Sequence, residues 1–130
     1  EIEAVFGVPL KTGAHADRAV RAALDMRKNL DELNRKRALL GKTPFSHGIG
    51  IHTGPVLAGN TGSDDRLSYA LIGDTVNLAS RIEGLTKSLQ WDILISHETI
   101  SHLSSSFDLG KESLQNVKGF SKPITVYRIL

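Results

Sequence analysis

The 130 residues are 40% apolar and 23% charged, which suits one globular domain with a buried core and a wet surface. The formal charge of +2 is too small to call for a nucleic-acid or anionic-membrane partner, although the sequence pI of 9.1 looks basic. The absence of cysteine excludes a disulfide framework, a thiolate nucleophile and a Cys-based zinc site, and suits a reducing compartment.

No apolar run approaches the roughly 20 residues of a membrane span. The chain shows no signal peptide and does not begin with methionine, so Glu1 is read as an internal residue of a longer protein. In chain order, "EIEAVFG" alternates Ile2, Ala4 and Phe6 against Glu1 and Glu3, which predicts a strand stopped by Gly7 and Pro9. From about Ala14 to Leu40, Ala19, Ala23, Met26, Leu30 and Leu33 recur at helical spacing and predict an amphipathic helix ended by Gly41 and Pro44. Arg35 to Arg37 form its charged C-terminal end, complementing the dipole.

"FSHGIGIHTGPVLAG" reads as one long strand with glycines that permit a bend, and "NTGSDDR" as a turn. "LSYALIG" is its hairpin partner. Asp74 or Thr75 is expected to cap the next helix, which runs to about Lys87 and buries Val76, Leu78, Ala79 and Ile82. "WDILIS" predicts a short strand, residues 98–103 a helical turn, and "ITVYRIL" a last strand after Lys118, Gly119 and Pro123. The pattern β-α-β-β-α-β-(α)-β is an α+β layer, with helices on one face of a largely antiparallel sheet.

Asn77 and Arg81 are four apart and share a helix face. An amide and a guanidinium there could grip a sugar and a phosphoryl group. The plainer reading is a polar face with Glu83 or Asp74 pairing the arginine. Asp74 stands where metal or phosphate sites form, but an Asp at that junction reads first as a cap. The glycine-rich stretch lacks both the G-x-G-x-x-G and the G-x-x-x-x-G-K-[ST] spacing, so no phosphate-cradling loop is expected. His47 and His52 would point to opposite faces of a strand, which argues against a shared metal, and His52 reads as a hydrogen-bonded core histidine. A lone loop lysine such as Lys118 gains meaning only if the last strand lies beside the Asn77 helix. Trp91 and Phe107 lack the interleaving of an RNA-binding sheet.

"GIGIHTGPVLAGNTGSDDRLSYALIGDTVNLASRIEGLTK" resembles the catalytic domain of class III adenylate and guanylate cyclases, whose signature includes H-[ST]-G and I-G-D-x-V-N-x-A-[AS]-R. The likeness runs from "EAVFG" to "ITVYRI". It implies that residues 1–130 are a partial catalytic domain with a ferredoxin-like cyclase fold missing its first strand and helices. It also implies a head-to-tail dimer, with itself or another cyclase domain, that has nucleotide sites at the interface. There the 3′-hydroxyl of ATP attacks its own α-phosphorus to give cyclic AMP and pyrophosphate, assisted by two Mg²⁺ or Mn²⁺ ions on two aspartates. By motif position, Asn77 would orient the ribose, Arg81 would stabilise charge on the α-phosphoryl group, and Lys118 would hold the terminal phosphates. These are the trans half of the site.

The metal aspartates of the family fall before Glu1, so no metal pair is expected on this chain, and the chain alone is expected to be inactive. Ala70 occupies the base-reading position, where adenylate enzymes place Asp or Thr, and alanine offers no hydrogen-bonding group. A cytoplasmic location is expected, with no direct membrane contact from this segment and no nucleic-acid partner. The alternative reading is a non-catalytic, cyclase-like dimerisation or nucleotide-sensing module.

Overall fold

A computed structural model describes residues 1–8, 13–61 and 68–130. Its first helix, α1 (His15–Leu39), begins after Ala14 in a left-handed conformation and ends where Gly41, at φ +68°, returns its N–H to Ala38 O. A left-handed residue just past a helix end is the usual stop, and glycine adopts it without a Cβ penalty. Strands β1 (Ile49–Ile51), β2 (Leu57–Thr61) and β3 (Ser68–Ile72) precede α2 (Asp74–Leu89). Then come β4 (Ile93–Ser96), α3 (His97–Ser101), β5 (Leu109–Gln115) and β6 (Ile124–Ile129).

The main sheet has the order β1-β4-β6-β5; β1 runs parallel to β4 and the other pairs are antiparallel. β2 and β3 form a separate antiparallel hairpin, with Gly59 opposite Ala70. β4 is buried along its whole length, as a central strand covered on both faces must be. Its residues alternate between two cores. Ile93 and Ile95 join Val20, Ala23 and Ile129 under α1, while Leu94 joins Leu78, Ile82, Val117 and Val126 under α2. Truncating a side chain such as Ile82, which is fully buried, would cost about 2–5 kcal/mol.

The α+β class and largely antiparallel sheet stand as predicted, but the helices do not share one face. Because neighbouring strand residues point oppositely, α1 covers one side and α2 the other. Residues 1–5 are not a strand; no described strand pairs with them, and Ile2 is 88% exposed. The single long strand divides into β1 and β2, since Pro55 supplies no N–H to a ladder at the bend. The "NTGSDDR" turn lies mostly outside the described residues. Of the stripe predicted on α1 only Ala23 is buried; Ala16, Asp17 and Val20 complete the buried side, and Met26 and Leu33 are exposed. On α2, Leu78 and Ile82 are buried with Thr86, whereas Val76 and Ala79 are only half-buried. β5 escaped the sequence reading because "LGKESLQ" carries too little apolar alternation to announce an edge strand.

α2 is seated by glycines. A Cβ on Gly50 would overlap the Glu83 amide nitrogen and lie 2.8 Å from Ala79 O, so β1 can pass beneath α2 only with hydrogen at that position. This close approach fixes the height of α2 above the sheet, and with it the placement of every residue the helix presents.

Candidate functional site

The outward face of α2 carries Asn77, Ser80 and Arg81, all exposed. Facing them is the loop between β5 and β6, where Val117 is buried and Phe120 packs on the same core as Leu78 and Ile82. The turn is closed by Phe120 N–H donating to Val117 O at 3.2 Å, and Gly119 takes φ +90°. Between helix and loop lies an open depression of about 380 Å³, lined by Asn77, Ser80 and Arg81 with Asp74 on one side and by Lys118, Gly119 and Phe120 on the other. That volume is near the lower end of small-ligand sites, enough for part of a nucleotide.

The lysine that sequence reasoning made conditional on its neighbours is thus beside the Asn77 helix. Among the described residues neither Arg81 nor Lys118 forms an ion pair, so the expected pairing of Arg81 with Glu83 or Asp74 is absent. The amide, guanidinium and ammonium groups are presented as donors to whatever enters.

Asp74 is not the cap. Gly73, at φ 140°, holds the N-cap position, no side chain caps α2, and Asp74 begins the helix as its first acidic residue. Thr75 is not the cap either: its Oγ1 donates to Pro55 O at 2.6 Å. An anionic side chain in the first turn still favours the positive end of the helix dipole. Ala70 lies on β3, opposite Gly59 in the hairpin.

His52 behaves as a core histidine. Its side chain is 8% exposed, Nδ1 lies 2.8 Å from Ser96 Oγ, and Glu98 Oε2 is 3.9 Å away. Burial lowers its pKa below 6.5, with the Glu98 charge opposing that shift. Ser96 caps α3 by accepting from Thr99 N–H, and Thr53 Oγ1 donates to Thr99 Oγ1 at 3.0 Å.

Among the described residues no three His, Asp or Glu side chains gather as a metal site, and Asp74 is the only carboxylate in the lining of the depression. The described residues therefore do not fit a pair of divalent ions. Ser80 and Phe120 were missed by sequence reasoning. Ser80 is three residues beyond Asn77 and next to Arg81, so the helical spacing that joined the other two could have found it. Phe120 gave no signal beyond its place two residues after Lys118.

The α+β fold thus sets an amide, a guanidinium and an ammonium group around one open depression, donors of the kind that suit phosphate oxygens. Residues 3–130 match the family model of the adenylate and guanylate cyclase catalytic domain, and the chain belongs to that family. It is 41% identical over 122 residues to an adenylate cyclase of Anabaena cylindrica, covering 88% of this chain and 24% of that protein. Among solved structures, the guanylyl cyclase Cya2 superposes with a TM-score of 0.85 at 33% identity, over 95% of this chain and 62% of that one. The adenylyl cyclase CyaB from P. aeruginosa gives 0.83 at 38%, over 96% and 64%. The chain spans less than two thirds of each.

Proposed function

We propose that the domain of which this chain forms part is an adenylate cyclase, and that the chain contributes one half of a site completed by a second cyclase domain. The observation that carries the reading is the convergence of Asn77, Arg81 and Lys118 on one depression with no carboxylate paired to either cation among the described residues. In the reaction the 3′-hydroxyl of ATP gives up its proton to solvent as its oxygen bonds to the α-phosphorus, the bond from that phosphorus to the bridging oxygen breaks, and pyrophosphate leaves. The Asn77 amide hydrogen-bonds the ribose and orients the attacking oxygen. Arg81 meets the negative charge that grows on the α-phosphoryl oxygens, and Lys118 meets the terminal phosphates. An arginine so placed contributes roughly 10³-fold or more in rate.

The divalent ions of the family would be bound outside the described residues, and the contribution of this chain is hydrogen bonding and positive charge. ATP as substrate is supported by likeness to the Anabaena and P. aeruginosa enzymes, while Cya2 is a guanylyl cyclase.

In the intact protein, Arg81→Ala should lower kcat by roughly 10³-fold while leaving the circular dichroism spectrum and thermal midpoint near those of the parent. Mixing it with a partner disabled in the opposite half of the site should restore one working site per heterodimer. Unchanged kcat would remove Arg81 from the site, no recovery on mixing would overturn the shared-site arrangement, and faster turnover of GTP than ATP would overturn the substrate.

A further inference from the structure

α2 begins without a side-chain cap, because its N-cap residue is Gly73. The first turn of a helix has N–H groups with no partner inside the helix, and a capping side chain at its start contributes about 1 kcal/mol. An uncapped first turn frays more easily, and this one carries Asn77. Its one side-chain hydrogen bond to another element, among the described residues, is from Thr75 Oγ1 to the Pro55 carbonyl at 2.6 Å.

The acceptor belongs to a segment held from the other side. Thr53, two residues earlier, donates to Thr99, which is fully buried and also donates to Ile51 O at 3.4 Å. Thr99 in turn lies 3.1 Å from Ser96 Oγ, the group that meets His52. The residue between them is a glycine for a visible reason: a Cβ on Gly54 would lie 2.6 Å from Thr75 Oγ1 and 3.3 Å from its Cγ2. The loop backbone is thus pressed against the threonine, with room for the hydroxyl and nothing larger.

We propose that Thr75 is a positioning residue: its latch to Pro55, made possible by Gly54, holds the uncapped first turn of α2 in the geometry from which Asn77 and Arg81 act. The proposal rests on the reading of those two residues as site groups. Neither Thr75 nor Gly54 is required to touch the nucleotide. The latch sets direction: it ties the start of α2 to the loop leaving β1, while Gly50 sets the height of the helix one turn further on.

The test uses the intact protein in three variants. Thr75→Val removes the donor and sets a larger methyl group against the Pro55 carbonyl, Thr75→Ser keeps the donor, and Gly54→Ala pushes the hydroxyl away while leaving its chemistry intact. Displacing a reacting group by about 1 Å costs roughly 10²-fold in rate, so Thr75→Val and Gly54→Ala should each lower kcat by roughly 10- to 100-fold with KM for ATP nearly unchanged. Thr75→Ser should stay within about threefold of the parent. Since both lesions break one contact, the double variant Gly54→Ala/Thr75→Val should lose no more than the worse single variant.

Amide hydrogen exchange over residues 74–78 reads the latch without any turnover: exchange should be faster in Thr75→Val and unchanged in Thr75→Ser. Parental kcat together with parental exchange in Thr75→Val would overturn the proposal. So would multiplicative losses in the double variant, or a KM effect without a kcat effect. If the intact parent forms no cyclic nucleotide, the cyclase reading falls, and the exchange measurement decides on the latch by itself.

Discussion

Arg27 and Asp92, 65 residues apart in sequence, meet through two parallel hydrogen bonds: Nε to Oδ2 at 2.7 Å and Nη2 to Oδ1 at 2.9 Å. Nη2 also donates to Ile129 O at 2.8 Å, so one guanidinium fastens α1 to the residue leading into β4 and to the end of β6. The fork matches the carboxylate in a way that lysine cannot.

Arg27→Lys should therefore destabilise the domain, by about 1–2 kcal/mol, as it loses the paired geometry and keeps the charge. Burial raises the Asp92 pKa, but the hydrogen bonds and charge of Arg27 outweigh it and hold the carboxyl below its ordinary 3.8. The stabilisation is complete above the unfolded value and is lost as pH falls through the lower folded one. Urea titrations near neutrality and at about pH 3 measure both effects, and Asp92→Asn should show the smaller difference between the two pH values.

Glycines on β1 and α2 should respond oppositely to one methyl group. Gly50→Ala drives a Cβ into the backbone of α2 and should cost about 3 kcal/mol. Gly84 lies in the exposed middle of α2 with nothing within 4 Å of a Cβ, so Gly84→Ala should stabilise by about 1 kcal/mol through helix propensity. Thermal midpoints of the two variants, displaced in opposite directions, are the expected result.

His52 should make stability fall on the acid side of neutrality. Its folded pKa is lower than the unfolded 6.5 because burial disfavours the charged ring, with Glu98 opposing. The unfolded state then binds more protons, so this contribution is complete above about pH 6.5 and shrinks as pH drops below it, by at most about 1.4 kcal/mol per unit. Unfolding free energy measured from about pH 7.5 to 5.5 should show that slope, and His52→Asn should flatten it whatever it does to the absolute stability.

Much of this molecule was legible because its longer elements are strongly patterned. α1, α2, β4 and β6 stand close to where periodicity puts them, and His52 is the hydrogen-bonded core histidine its apolar setting implied. The failures have local causes. Pro55 divided an apparently continuous strand, and the polar β5 is an edge strand held by the β6 ladder rather than by its own side chains. Asp74 has the right chemistry for a cap, but Gly73 occupies the capping position one residue earlier, which a composition-based reading of the junction cannot resolve. Spacing placed Asn77 and Arg81 on one helix face, but only the tertiary fold brings Lys118 opposite them. Arg81 and Lys118 are 37 positions apart in sequence, and no local pattern encodes their place around one depression.

Leu78 and Ile82 beneath α2, and Val117 and Phe120 beneath the facing loop, belong to one packed cluster. Two like charges, Arg81 and Lys118, are therefore set around the depression by apolar contacts on the far side of each element, with no carboxylate paired to either among the described residues. The placement of both cations thus rests on the hydrophobic interior beneath them rather than on an ion pair at the surface. The spacing of the charges is in this sense a mechanical property of the core: a methyl group lost from Leu78 or Val117 would retune the field at the depression without touching anything that enters it.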